Sequence, residues 1–257
     1  MPTRAPTWPA SSTWPTITTG LYANKSKFSL FDTSYDATNG AQDNISPNYG
    51  RDKIDNAYIN TALGGALVDT YIAQQKSGSP NRFAFLHINE TDAYGHSSGW
   101  GSATWNSQVV VVDTMLGKLF QMIQDVPAMK GKTAIILTAD HGNQDNPPTG
   151  ADRYAVPFFV WGPGVVSVDQ GTFYFEDGGL IGGSFSTASG AVIAFDAGAQ
   201  PIRNAEATNL ALDMLNLNAI PGSTFNASQN LAVPEPATMS LLILGGLGLL
   251  RQRPRGA

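Results

Sequence analysis

Cysteine is absent from this 257-residue chain, and histidine is scarce, with three residues in all. Disulfide bonds and thiolate metal sites are therefore excluded, so any metal must be bound through carboxylate, imidazole or other oxygen ligands. Charged side chains are also few, at 14% of the residues. Such a surface, rich in Gly, Ser, Thr and Asn, is more typical of an exported protein than of a cytosolic one.

Basic residues are outnumbered by acidic ones, 15 against 20. Three of the 15, Arg251, Arg253 and Arg255, lie in the last seven positions, so the body of the chain is more acidic than the total indicates. An acidic body argues against a nucleic-acid partner, because phosphate backbones are bound by clustered Lys and Arg. The hydrophobic share of 42% is sufficient for the core of one large domain.

Strands alternate with helices along the chain. Apolar runs predict strands at 16–23, 27–32, 83–88, 134–139 and 156–164. Apolar residues at helical spacing predict helices at 54–75, 102–124 and 204–217, and residues 33–53 form a long predicted loop. This order predicts an α/β fold, a mostly parallel sheet with helices on both faces. The continuous apolar run 134–139 is typical of a strand in such a sheet.

Two Asp-His pairs each follow the carboxyl end of a predicted strand: Asp92 with His96, in the Gly- and Ser-rich loop predicted over 89–105, and Asp140 with His141. Ligands bind at that edge of an open α/β sheet, so we expect the four side chains to converge. Mixed oxygen and nitrogen ligands suit Zn²⁺, and four of them can serve two metals about 4 Å apart. The alternative is structural, with each aspartate capping a turn and each histidine a neighbour. His87 lies within a strand and is interpreted as a core residue or a residue that supports the ligands.

Four segments in order, FLHINETDAYGHSSGW, VVVVDTMLGKLF, TAIILTADHG and VPFFVWGPGV, resemble the alkaline phosphatase superfamily in its sulfatase and phosphodiesterase-like branch. The resemblance implies two divalent metals, with zinc expected. Asp92 and His96 would bind one metal, and Asp140 and His141 the other. It also implies hydrolysis of a small phosphate- or sulfate-ester substrate, with a metal-activated Ser or Thr as nucleophile.

The family pattern is incomplete in this chain. In the family, a metal-binding Asp and the nucleophile precede the stretch that YANKSKF resembles, but only 24 residues precede Lys25 here. We therefore expect the chain to represent the carboxyl-terminal part of the domain, truncated at its amino end. The alternative takes TWPTITTGLYAN as the nucleophile segment, with Thr16 or Thr18 as the nucleophile. A further histidine expected after DHG is missing, so we expect poor turnover of aryl phosphates.

The tail combines Pro234-Glu235-Pro236, an apolar run over 237–250 and the basic residues Arg251 and Arg253. The run is shorter than the roughly 20 residues that span a bilayer comfortably. This arrangement resembles the PEP-CTERM sorting signal. It implies export, transient holding at the inner membrane, processing by an exosortase-type membrane peptidase, and release to the cell surface or extracellular matrix. The signal peptide that such proteins carry is not seen in residues 1–15, which lack a continuous apolar segment.

Three regions are predicted: an irregular amino terminus (1–15), a partial alkaline phosphatase-like domain (16–232) and a sorting tail (233–257) containing a hydrophobic helix. The predicted function is an exported metal-dependent hydrolase of phosphate or sulfate esters, incomplete in this chain. Two alternatives stay open, a non-catalytic surface-sorted protein that keeps the fold and a metal-dependent sugar-phosphate mutase.

Overall fold

A computed structural model of the chain describes residues 17–34, 36–39, 52–143, 156–163, 173–175, 180–181, 203–229 and 231–232. The chain divides into two compact units. The first comprises Met1–Ala93 with Asn106–Ala128, and the second comprises Tyr94–Trp105 with Met129–Ala257.

The first unit contains a parallel sheet of three strands in the order β2-β1-β3. These are β1 (Thr19–Ala23), β2 (Asn56–Ile59) and β3 (Phe83–His87). Ala23 at the end of β1 lies opposite Ile59 of β2 and His87 of β3, so all three strands end at the same edge. The prediction of an α/β fold built on a parallel sheet is confirmed.

Helices supply the rest of the core in this unit. A 3₁₀ turn (Ser26–Phe28) leads into α1 (Ser29–Ser34), and α2 (Gly65–Ser77) follows β2. The helix α3 (Glu90–Ser98) crosses from the first unit to the second, and most of α4 (Ala103–Asp125) belongs to the first. Buried apolar side chains come from β1, α2 and α4; they are Leu21, Tyr22, Ala23, Leu67, Val68, Tyr71, Met115, Leu119, Met122 and Ile123.

The second unit contains an antiparallel pair, β4 (Ile135–Thr138) with β5 (Phe158–Trp161). The helix α5 (Glu206–Met214) packs against β4 and buries Leu210. A small antiparallel sheet of order β7-β6-β8 combines β6 (Phe173–Phe175), β7 (Leu180–Ile181) and β8 (Leu231–Ala232). The parallel partner expected for the apolar run 134–139 is not found among the described strands, where β4 pairs antiparallel.

Two predicted elements are wrong. Residues 27–32 form the 3₁₀ turn and α1 rather than a strand. Phe28 and Phe31 stack with ring centroids 6.0 Å apart, which is the i, i+3 contact of a helix surface. The start of the predicted helix 54–75 is instead β2, because its backbone pairs with β1. The helix itself begins only after Gly64.

No helix in the described part of the chain is both long and apolar enough to cross a membrane. The predicted irregular segment 1–15 and the predicted hydrophobic helix 237–250 lie outside the described residues.

The buried side chain of Tyr71 should make the folded protein less stable in alkaline solution. Burial raises the pKa of Tyr71 from 10.0 to about 12, and its ring packs edge-on against Tyr22 with centroids 4.8 Å apart. The unfolded chain releases this proton near pH 10 and the folded chain only near pH 12. Unfolding should therefore become easier by about 2–3 kcal/mol across that window. Denaturant titrations from pH 9 to 12 measure this slope.

The Tyr71→Phe variant keeps the ring and removes the proton, so its stability should fall less steeply with pH. Tyr58→Phe is the control, because a hydrogen bond from Asn60 lowers the pKa of Tyr58 and reverses the sign of its contribution. Equal slopes in the wild type and Tyr71→Phe would show that Tyr71 does not titrate in this window.

Candidate active site

The carboxyl edge of the parallel sheet in the first unit carries a cluster of polar side chains. Asn24 and Lys25 follow β1, while Asn89 and Glu90 follow β3, which ends at His87. Because the three strands end in register, these residues meet at one edge, where ligands of α/β sheets bind.

Glu90 is a buried carboxylate, with 1% of its surface exposed. Its Oε1 accepts a hydrogen bond from the backbone N–H of Gly64, the residue that precedes α2. Its Oε2 lies 3.4 Å from the side-chain amide of Asn24, which donates to it. A Cβ at residue 64 would lie 2.8 Å from Oε1, so glycine is needed there for the carboxylate to reach the backbone. The carboxylate thus joins the segments that follow β1, β2 and β3.

The orientation of the Asn24 amide determines the tautomer of His87. The amide nitrogen of Asn24 donates to Glu90 and also to the Oδ1 of Asn89, so its own Oδ1 faces the other way. That oxygen lies 3.1 Å from Nδ1 of His87. An amide oxygen can only accept, so Nδ1 of His87 carries a proton. The His87 ring also packs against Phe28, with centroids 4.4 Å apart.

Asp92 and His96 lie on α3, not in the predicted loop. Residues four apart occupy the same face of a helix, which explains the spacing of the pair. Asp92 forms an ion pair with Lys25, with 2.6 Å between Oδ2 and Nζ. His96 packs edge-on against Trp100 with centroids 4.8 Å apart. The helix backbone approaches that indole at Gly95, where a Cβ would collide with it.

Asp140 and His141 lie together in the turn after β4, in the second unit. Nε2 of His141 is 3.7 Å from Oδ1 of Asp140, and its Nδ1 is 2.9 Å from the carbonyl oxygen of Gly142. A carbonyl cannot donate, so Nδ1 carries a proton and donates to the Gly142 oxygen. Histidines that bind metals have this arrangement, with the second ring nitrogen donating to a carbonyl or carboxylate. The chemistry of this pair therefore fits a divalent metal.

Among the described residues, no group of three or more carboxylates and imidazoles is close enough to hold a metal ion. Asp92 belongs to the first unit, whereas His96, Asp140 and His141 belong to the second. Convergence of all four side chains stays a prediction.

Thr18 lies at the amino-terminal end of β1, opposite the carboxyl edge. Its hydroxyl donates to the carbonyl of Pro80 at 3.3 Å and accepts from the backbone N–H of Arg82 at 3.1 Å. The five residues of β1 lie between Thr18 and Asn24, so the two are about 20 Å apart along the strand. This position disfavours Thr18 as a nucleophile acting beside Asp92. Thr16, the other candidate, lies outside the described residues.

Sequence reasoning missed Asn24, Gly64 and Glu90. One sequence feature could have identified Asn24 and Glu90. Each is a polar residue shortly after a predicted strand, where the edge of the sheet is expected. The bond between Glu90 and Gly64 joins residues 26 positions apart and has no sequence signature.

The chain is similar to two fungal and animal proteins named GPI ethanolamine phosphate transferase 1. It is 31% identical to the one from Aspergillus oryzae over 102 residues, covering 37% of this chain and 10% of that protein. It is 31% identical to the one from Mus musculus over 84 residues, covering 32% of this chain and 9% of that protein. The chain thus spans about a tenth of the length of these relatives.

Among solved structures, a match is murine ectonucleotide pyrophosphatase/phosphodiesterase 5, inactive and in complex with AMP. The TM-score is 0.34 and the identity 19%, over 72% of this chain and 43% of that one.

Two families match along the chain. Residues 232–253 match the PEP-CTERM protein-sorting motif, which confirms the resemblance of the tail. Residues 5–161 match the family described as type I phosphodiesterase / nucleotide pyrophosphatase, a stretch that includes both Asp-His pairs and the whole parallel sheet. Because this match covers more than half of the residues, the chain belongs to the type I phosphodiesterase / nucleotide pyrophosphatase family.

Proposed function

We propose that this chain is a metal-dependent enzyme that cleaves phosphate esters, and that it acts after export. The observation that carries the proposal is the family match over 5–161, which includes two Asp-His pairs placed directly after β3 and β4. Carboxylate and imidazole ligands without thiolates suit zinc.

In this proposal Asp92, His96, Asp140 and His141 hold two divalent metals, most readily zinc. Bound metals would polarise the phosphoryl group and lower the pKa of the attacking hydroxyl or water. Lys25 holds one oxygen of Asp92 and limits the rotation of its carboxylate. The Nδ1 of His141 donates to a carbonyl, which holds the ring beside Asp140. The nucleophile is left unassigned, because Thr18 lies next to the amino-terminal end of β1 and Thr16 lies outside the described residues.

Transfer of the phosphoryl group to an alcohol is a second candidate function. The similarity to proteins named as phosphate transferases favours it. Hydrolysis and transfer share the first half of the reaction and differ in the acceptor, water or a hydroxyl compound. Three alternatives drawn from the sequence stay open. They are hydrolysis of sulfate esters, a sugar-phosphate mutase activity, and a non-catalytic role at the cell surface.

We also propose that the tail directs export and surface sorting. The match of residues 232–253 to a protein-sorting motif supports holding at the membrane followed by cleavage near Pro234-Glu235-Pro236. An exosortase-type peptidase is the proposed partner, and Arg251 and Arg253 would remain on the cytoplasmic side.

Zinc should be required for turnover. After chelation with EDTA, we expect the slow cleavage of bis(p-nitrophenyl) phosphate by this chain to return only when zinc is restored. Substitution of outer residues around a metal commonly costs 10–100-fold, so loss of a direct ligand in Asp140→Asn or His141→Gln should cost about 100-fold or more in rate and zinc affinity. Nitrophenol release and equilibrium dialysis measure the two quantities.

Asp69→Asn is the matched control, because this exposed carboxylate pairs with Lys118 at 2.8 Å on the surface. It should change neither quantity. Turnover that survives chelation would refute metal dependence. Faster nitrophenol release in the presence of added alcohols, with a phosphodiester product, would favour transfer, and cleavage of nitrophenyl sulfate alone would replace phosphate by sulfate.

Glu90 should stabilise the folded protein through its hydrogen bonds at the carboxyl edge of the sheet. Glu90→Ala leaves the Gly64 N–H and the Asn24 amide without their carboxylate, and each buried unpaired group costs about 1–3 kcal/mol. We expect the free energy of unfolding to fall by about 2–4 kcal/mol, measured by denaturant titration. Glu90→Gln keeps one acceptor oxygen and should lose less. An alanine variant as stable as the wild type would show that the network contributes nothing.

Processing should depend on the motif in the tail. Replacing Pro234, Glu235 and Pro236 by alanine should leave the protein uncleaved in the membrane fraction of a host that has an exosortase. Substituting Ala227 and Ser228, two exposed residues upstream of the motif, provides the control. Intact-mass measurement and fractionation distinguish the products, and normal cleavage of the triple variant would rule out this recognition.

A further inference from the structure

The turn that carries Asp140 and His141 is held by a side chain far away in sequence. Nδ2 of Asn204 lies 3.0 Å from the carbonyl oxygen of Ala139 and 3.0 Å from that of Asp140. A primary amide has two N–H donors, so this nitrogen can donate to both consecutive peptide groups. Both bonds span more than 60 residues and lie within the second unit.

We propose that Asn204 is a positioning residue for the Asp140-His141 pair. It would act through the backbone of the turn, without contacting substrate or metal. The inference rests on the proposed function and adds a residue outside the matched family region of 5–161.

The Asn204 side chain extends from a fixed turn. The backbone N–H of Glu206 donates to the carbonyl of Arg203 at 3.0 Å, and the backbone N–H of Arg203 donates to the Glu206 carboxylate at 3.3 Å. The carbonyl of Asn204 accepts from the backbone N–H of Ala207 at 3.2 Å. Glu206 is buried at 6% exposure, and one turn later Leu210 is buried at 1%. The start of α5 is thus tied at both the backbone and the side chains.

The turn after β4 needs such a support. The Asp140 side chain is 66% exposed, so packing does not fix its position. His141 is held through Nδ1 by the carbonyl of the next residue, Gly142, a bond that lies inside the turn and moves with it. The two bonds from Asn204 connect the turn to a separate element. A displacement of about 1 Å in a reacting geometry can cost about 100-fold in rate, so a fixed turn matters for the pair.

Two variants test the proposal. Asn204→Ala removes both donors, and Asn204→Asp keeps the shape while directing carboxylate oxygens at two carbonyl oxygens. We expect faster hydrogen–deuterium exchange in residues 139–143 of the metal-free protein, with exchange in α5 unchanged. We also expect cobalt or zinc affinity and kcat/KM to fall by about 10–100-fold, the range found for residues that orient metal ligands.

Leu210→Ala is the matched control for destabilisation alone. It removes a buried side chain of the same helix and leaves the amide in place, so it should lower the melting temperature without changing metal affinity or the visible spectrum of the cobalt form. Asn204→Gln, which keeps the amide group, should recover part of the affinity that Asn204→Ala loses.

The results distinguish the positioning role of Asn204 from the proposed metal-dependent function. Unchanged exchange in 139–143 together with unchanged metal affinity in Asn204→Ala would overturn the positioning role. Faster exchange in residues 139–143 and weaker zinc binding in Asn204→Ala, relative to a wild type that binds zinc, would support it. Altered exchange in a protein that binds no metal at all would overturn the proposed function and the role toward a metal, leaving Asn204 as a support of the fold.

Discussion

One buried carboxyl group constrains the carboxyl edge of the parallel sheet. Burying a carboxylate is costly unless donors surround it, and Glu90, at 1% exposure, finds them in the Gly64 N–H and the Asn24 amide. These donors come from the segments after β2 and β1, while Glu90 itself follows β3. A single carboxyl group therefore joins the ends of three connections. It also requires glycine at 64, where a Cβ would meet the carboxyl group, and it orients the Asn24 amide whose oxygen accepts a hydrogen bond from Nδ1 of His87.

Glu90 is also the first residue of α3, so Asp92 and His96 follow at fixed rotations around the helix axis, one turn apart on one face. The second Asp-His pair is built differently, from consecutive residues in a turn. There the geometry comes from backbone hydrogen bonds, and the carbonyl of Gly142 selects the tautomer of His141. The two Asp-His pairs thus have different structural supports. Asp92 and His96 lie on a helix that begins beside a buried hydrogen-bond network, whereas Asp140 and His141 depend on backbone hydrogen bonds in a turn.

Elements with strong apolar periodicity could be predicted from the sequence to within a few residues: β1, β3, α4, β4, β5 and α5. The failures occur where a partner distant in sequence decides the structure. Residues 56–59 are a strand because β1 pairs with them, and the helical spacing around Tyr58 and Ile59 could not reveal that. Glycines and serines predicted a loop over 89–105, but the helix α3 forms there and Gly95 admits the indole of Trp100. The candidate ligand residues could be identified because the chain has only three histidines and two of them follow an aspartate closely. The Glu90 network was not, because its acceptor and donors are 26 and 66 positions apart.

The network has a consequence for how a metal would bind. The start of α3 is held by contacts between groups of the protein, among them the 2.6 Å ion pair of Asp92 with Lys25. Small zinc domains differ, because their ligands hold the fold together and the free energy of metal binding is also that of folding. If the proposed function holds, a metal at Asp92 would exchange one cation for another on an existing carboxylate. Folding and metal binding would then be separable, and the parallel sheet and its polar edge should persist when the metal is removed.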